Sequence, residues 1–199
     1  MQTLAIATAT GGTVVAVDTH RPFLRRLKQS AEVAGLRGRI TVVNASMLSL
    51  PFAQGSLDVI WAEGAIYIAG FERGLRDWRR LLKPRGCIVV SELTWLQAVC
   101  PAEAVSFWQV GYPGMQTLEA NLEAIRAAGY QELGYFAIPE SAWWHHYYTP
   151  LELRLASLRD QYQDDTAALR QLHQVVREID LYRKYSDSYG YVFYVMQSA

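Results

Sequence analysis

The sequence predicts an α/β fold: a mostly parallel sheet with helices on both faces, an antiparallel C-terminal edge strand and a helical lid. Three observations predict it. Short β-branched apolar runs alternate with amphipathic helical stretches through the first half, the pattern of a parallel sheet covered on both sides. Two of those runs end in a carboxylate, Asp18 and Glu63. The second half turns helical and aromatic, then closes on the alternating run Tyr189 to Met196.

Taken in order, residues 2–9 read as a short apolar helix ended by Gly11-Gly12. Val14-Val15-Ala16-Val17-Asp18 within 13–18 is a buried strand. Pro22 suits a first helical turn, and Phe23, Leu24, Leu27, Ala31 and Ala34 recur at helical spacing before Gly35 and Gly38. Residues 40–43 form the next strand, 45–56 a loop and 58–62 a third strand. A helix over 71–82 carries Leu75, Trp78, Leu81 and Leu82 on one face, and residues 87–91 form a fourth strand after Pro84 and Gly86. Residues 102–110 and 116–128 read as helices, 131–138 as a strand, 140–184 as helical and 189–196 as the closing strand. A strand, a long helical insertion and a returning strand predict an antiparallel pair at the sheet edge, with the insertion as a lid.

With 199 residues, 51% of them hydrophobic and 19% charged, the chain has apolar side chains for one sizeable core. Nineteen basic residues balance nineteen acidic ones, which argues against a general nucleic-acid binder. The charge is nonetheless uneven. Residues 19–39 carry six Lys/Arg against Glu32, whereas 92–138 carry five Glu against Arg126. This reads either as solvated helix faces or as a basic half that attracts an anionic ligand. Cys87 and Cys100 are too few for a disulfide framework. The first residues lack a basic segment and an apolar run, and no stretch approaches the roughly 20 apolar residues of a membrane span. The expectation is a soluble, cytoplasmic protein.

Several residues are candidates for chemistry. Asp18, followed by Thr19, stands at the carboxyl end of a predicted parallel strand, where nucleotides bind in such sheets. Its carboxylate suits the two hydroxyls of a ribose or, alternatively, a helix cap. Ser46 and Met47 follow the strand at 40–43 and suit an adenine edge and face, or an ordinary loop. Glu63 suits the donor end of a cofactor, a substrate proton, or another cap. The run Trp143-Trp144-His145-His146-Tyr147-Tyr148 is either a pocket wall or lid-to-core packing. Adjacent His145 and His146 do not share a helix face, so no metal site is expected.

These pieces together resemble the class I S-adenosylmethionine-dependent methyltransferases. The order is an acid at Asp18, the loop Ser46-Met47-Leu48-Ser49-Leu50-Pro51-Phe52, then Asp58-Val59-Ile60-Trp61-Ala62-Glu63. Leu82-Lys83-Pro84-Arg85-Gly86 looks like the family's Leu-Lys-Pro-Gly-Gly turn. The resemblance covers residues 1 to about 92. The remainder, with Ala142-Trp143-Trp144 and Tyr189-Gly190-Tyr191-Val192-Phe193-Tyr194, resembles a bacterial subgroup of methyltransferase type 11, grouped with ubiquinone-biosynthesis methyltransferases.

The resemblance implies a Rossmann-like three-layer sandwich that binds S-adenosyl-L-methionine and methylates a small-molecule acceptor. A truncated or inactive relative that serves as a partner subunit is the alternative. By resemblance Asp18 and Thr19 meet the ribose, Ser46 and Met47 the adenine, and Glu63 the donor end. Tyr67, Trp95, Trp143, Trp144 and Tyr148 line the acceptor. The implied organisation is a single domain with a cofactor-binding half over 1–92, substrate-side elements over 93–138, a lid over 139–188 and a closing strand over 189–199. A homodimer is a possible assembly.

The family's first strand and its glycine-rich loop have no match, since Gly11-Gly12 follows a helix instead of a strand. Met1-Gln2-Thr3-Leu4 resembles the start of the helix after that loop. The expectation is weak binding of S-adenosylhomocysteine, because the backbone cradle for its amino-acid end is missing. The missing strand would be central. The chain as given is therefore expected to be unstable, or else strands 13–18 and 58–62 pair directly or through another chain.

Overall fold

The computed structural model describes residues 2–199, so Met1, where the opening resemblance begins, lies outside the described residues. The chain forms two compact units, one extending to Ala53 and the other spanning Gln54–Ala199.

In the first unit, α1 (Gln2–Thr10), β1 (Val14–Asp18), α2 (Arg21–Val33) and β2 (Ile40–Asn44) follow the predicted order. β1 and β2 run parallel, with Val14 opposite Ile40 and Asp18 opposite Asn44. Parallel pairing needs a crossover, which α2 supplies. α2 buries Leu24 and Ala31, two turns apart on one face. It ends where the Leu36 amide donates to Ala31 O at 2.8 Å and Gly35 takes a φ of 70°. Glycine tolerates that conformation at a helix terminus best. Ala7, Ala31, Leu36 and Ile40 make a small core with Leu4, Val14 and Leu27 beside it. The Arg39 guanidinium donates to Gly12 O at 3.0 Å and to Ala7 O, which satisfies carbonyls at the end of α1.

The second unit carries a five-stranded sheet in the order β3-β4-β7-β6, with β5 also on β4. β3 (Leu57–Ala62) runs parallel to β4 (Leu82–Trp95). β7 (Tyr189–Ser198) pairs antiparallel with β4 and with β6 (Tyr130–Ala137). The antiparallel pair therefore forms as predicted, but the C-terminal strand lies one place in and β6 holds the outer position. β7 has apolar residues on both faces, and Tyr189, Val192, Phe193, Tyr194 and Met196 are all buried. Such a strand belongs inside a sheet rather than at its rim. β4 is also longer than the predicted 87–91. Leu57 pairs with Leu82 and Val59 with Cys87, so Lys83 to Gly86 loop out of the ladder, with Arg85 at a φ of 60°.

Among the described residues the ladders join β1 to β2 and β3 to β4, so direct pairing of 13–18 with 58–62, one of the alternatives expected, is not found. α3 (Phe71–Arg79) buries Gly74, Leu75 and Trp78, while α4 (Ala102–Gly111), β5 (Gln116–Thr117) and α5 (Leu118–Ala127) fill the stretch before β6. The predicted helical stretch 140–184 is broken. It comprises α6 (Glu140–Trp143), a π-turn over Trp144–Tyr148, α7 (Thr149–Gln161) and α8 (Thr166–Tyr185). Asp165 caps α8, accepting from the Ala167 and Ala168 amides at 2.9 and 3.0 Å. No described helix is long and apolar enough to cross a membrane.

Candidate active site

In the first unit the predicted nucleoside residues gather at the carboxyl ends of β1 and β2. Asp18 Oδ1 accepts the His20 amide at 2.7 Å. The carboxylate therefore closes a local turn, and His20, not Asp18, is the cap residue of α2. Its other oxygen makes no hydrogen bond among the described residues. The Asn44 amide donates to Asp18 O at 2.9 Å and Thr19 O at 3.0 Å, while its Oδ1 accepts from Arg21 Nε at 3.0 Å. These bonds staple the two strand ends together. Ser46 Oγ accepts the Leu48 amide at 3.2 Å, which makes a tight turn around half-buried Met47. Asn44, which sequence reasoning passed over, is the residue that fixes Asp18 and Thr19 in place.

In the second unit Glu63 is exposed just past β3. The next residue, Gly64, has a φ of 56° and donates its amide to Ser91 Oγ at 2.8 Å. A Cβ at Gly64 would lie 3.8 Å from the Tyr191 hydroxyl, so the end of β3 turns in against β7.

The predicted acceptor residues divide. Trp143 stacks on Tyr182 at 4.6 Å, Tyr191 at 5.2 Å and Tyr148 at 5.5 Å between ring centroids. Tyr148 is fully buried and donates to Glu178 Oε1 at 3.0 Å. Trp144 donates to Glu140 at 3.0 Å, and the Arg183 guanidinium lies 4.9 Å over its ring. Trp95 meets Tyr189 edge-on at 5.9 Å. These four belong to one aromatic core that ties the lid to the sheet, the packing alternative of the sequence reading. Tyr67 is separate from them. It is 47% exposed and meets Tyr112 edge-on at 5.9 Å.

Sequence reasoning missed Glu92. It lies inside the apolar run of β4, is 3% exposed, and neither carboxylate oxygen makes a hydrogen bond of ordinary geometry. Burial pushes its pKa up from 4.5 to about 7, against the smaller opposing pulls of the Tyr112 hydroxyl and the Leu93 amide. The available signal was a carboxylate inside Ile88-Val89-Val90-Ser91-Glu92-Leu93, a run otherwise typical of a buried strand. Next to it is a fully bonded polar cluster. Asn121 donates to Thr94 Oγ1 at 3.2 Å and to the Tyr194 hydroxyl at 3.1 Å, and those two hydroxyls are 3.0 Å apart.

Comparison with known proteins agrees with this architecture. Residues 1–90 match the methyltransferase-domain family. The dimethylglycine N-methyltransferase of Parasynechococcus marenigrum is 43% identical over 60 residues, 30% of this chain and 21% of that protein. Methyltransferase GfsG of Streptomyces halstedii is 29% identical over 89 residues, 44% of this chain and 32% of that protein. The alignments thus span less than a third of the length of either of these two curated relatives. A crystal structure of a SAM-dependent methyltransferase from Geobacter sulfurreducens, in complex with S-adenosyl-L-homocysteine, superposes with a TM-score of 0.80 at 20% identity. It covers 98% of this chain and 79% of its own. Residues 1–90 are thus similar to the methyltransferase-domain family, and the chain has the Rossmann-like fold of the class I methyltransferase structures.

Proposed function

We propose that this chain carries out S-adenosylmethionine-dependent methyl transfer to a small-molecule acceptor. The observation that supports it most is Asp18, a carboxylate at the carboxyl end of a parallel strand, with one oxygen held by the His20 amide and the other unbonded among the described residues. That oxygen suits a ribose hydroxyl. In this reading Thr19 flanks the ribose, and Ser46 and Met47 meet the adenine at the turn that follows β2. In the second unit exposed Glu63 and Tyr67 are the remaining candidate residues, whereas Trp95, Trp143, Trp144 and Tyr148 serve as the aromatic core that holds the lid on the sheet. The cofactor supplies a methyl group already activated on a sulfonium. The chain's task is to hold the acceptor in line and keep water out. The methyl-transfer names of the relatives support the same reaction class.

Calorimetric titration with S-adenosylhomocysteine tests the reading. Asp18→Ala should weaken binding about tenfold or more, because a charge-assisted hydrogen bond is worth roughly 1.5–3 kcal/mol. Unchanged affinity together with lowered thermal stability would leave Asp18 as the local turn residue only.

A further inference from the structure

Glu92 has no role in the fold that its surroundings explain. It shares a face of β4 with Val90 and Thr94, and its strand partner on β7 is Val192. Thr94 on that face is hydrogen-bonded to three groups, whereas the Glu92 carboxylate oxygens have no partner of ordinary hydrogen-bond geometry among the described residues. The groups that act on it are the Tyr112 hydroxyl and the Leu93 amide, with no Lys or Arg among them. It in turn bears on Tyr112, Tyr191 and Tyr194. Burial and the nearby carboxylate raise all three phenols, which stay neutral across the physiological range. Tyr112 links Glu92 to the surface, since its ring touches exposed Tyr67. The residue lies in the carboxyl half of β4, beside the end of β3, where Ser91 holds Gly64. That is the end of a parallel pair at which ligands bind.

A buried carboxylate with no cation, ringed by neutral tyrosines, lacks a partner of one chemical kind. We propose that Glu92 receives a protonated aliphatic amine as the methyl acceptor, with Tyr67, Tyr112 and Tyr191 as the aromatic groups around it, and that it takes that amine's proton. This rests on the methyl-transfer reading above and names its acceptor class. In the step, the N–H bond of the ammonium breaks and its electron pair stays on nitrogen. The proton goes to a Glu92 oxygen, and the carboxylate becomes a carboxylic acid. The nitrogen is then a neutral nucleophile. A carboxyl that titrates near neutrality is matched to that exchange, and tyrosine faces attract the cation before it.

Calorimetric titrations of N,N-dimethylethanolamine and its neutral isostere 3-methylbutan-1-ol, with and without S-adenosylhomocysteine, test the proposal. At pH 8 the wild-type chain should prefer the amine by about tenfold. The preference should fall as pH drops below 7 and Glu92 takes up a proton, and it should vanish in Glu92→Gln while the isostere binds as before. A wild-type chain with no preference, or a Gln variant that keeps it, overturns the proposal. The wild-type pH dependence decides the matter even if the variant fails to fold. Failure of S-adenosylhomocysteine to bind counts against the methyl-transfer reading, whereas loss of amine preference with that binding intact counts against the role of Glu92 alone.

Discussion

Replacing Glu92 by Gln should stabilise the protein at alkaline pH and do little at acid pH. The folded chain raises this carboxyl from 4.5 to about 7. Such a difference corresponds to about 3 kcal/mol. The sign follows from proton uptake. Below about pH 4.5 Glu92 is protonated in both the folded and unfolded chain and costs nothing. Between 4.5 and 7 the folded chain binds the proton and the unfolded chain releases it, so stability falls as pH rises. Above 7 the full cost of a buried, unpaired charge is present. Glutamine has the same shape and no charge, so the variant escapes this dependence. Urea unfolding of both proteins at pH 4.5 and pH 8 reads it out. The variant should gain about 3 kcal/mol over wild type at pH 8, or roughly 6–12 °C in Tm for a chain of this size. The raised carboxyl of Glu178 is common to both proteins and cancels in the difference. A gap that does not change with pH, or a variant less stable at pH 8, would refute the reasoning and show that the folded chain solvates Glu92 well.

Three further outcomes are expected. Asp18→Ala should lose about 1 kcal/mol of stability through the His20 amide bond, a loss visible in urea melts and separate from its effect on cofactor affinity. Tyr148→Phe should cost about 1–3 kcal/mol at pH 8, where the hydroxyl serves an ionised Glu178, and less at pH 4.5; equal losses at both pH values would contradict this. Gly86→Ala should destabilise by more than about 1 kcal/mol in chemical denaturation, because its Cβ would lie 2.9 Å from Lys83 O and 3.2 Å from Asp58 O, backbone atoms that cannot rotate away.

The strands and crossover helix of the first unit were legible because each rests on a local pattern. The runs at 14–18 and 40–44 are β-branched, and Pro22 and Gly35 bracket α2. The place of β7 was not legible, since strand order depends on non-local ladders, although burial of both its faces was already written in Tyr191, Val192, Phe193 and Tyr194. The break in the lid was also hidden. Six successive aromatic and imidazole residues fit a helix by propensity, yet Trp143 and Tyr148 both pack against the Tyr182 ring. In an α-helix residues five apart lie well round the axis from one another. The wider π-turn over Trp144–Tyr148 brings them onto one side.

Glu92 and Asp18 show why a strand-end acid is easier to read than a mid-strand one. Asp18 follows four apolar residues and precedes a helix, so its position alone suggests a ligand, and the structure adds that its neighbour Asn44 holds the turn. Glu92 has no such flag. Its meaning depends on what the fold withholds from it: a cation, a hydrogen-bond donor of good geometry, and water. An unpaired buried carboxylate is costly to folding, and a core under selection for stability alone would carry an apolar or amide side chain there. The cost becomes intelligible when a ligand supplies the missing positive charge. In that case the stability lost by the free chain reappears as preference for a cationic acceptor over its neutral isostere, and both effects should disappear together in Glu92→Gln.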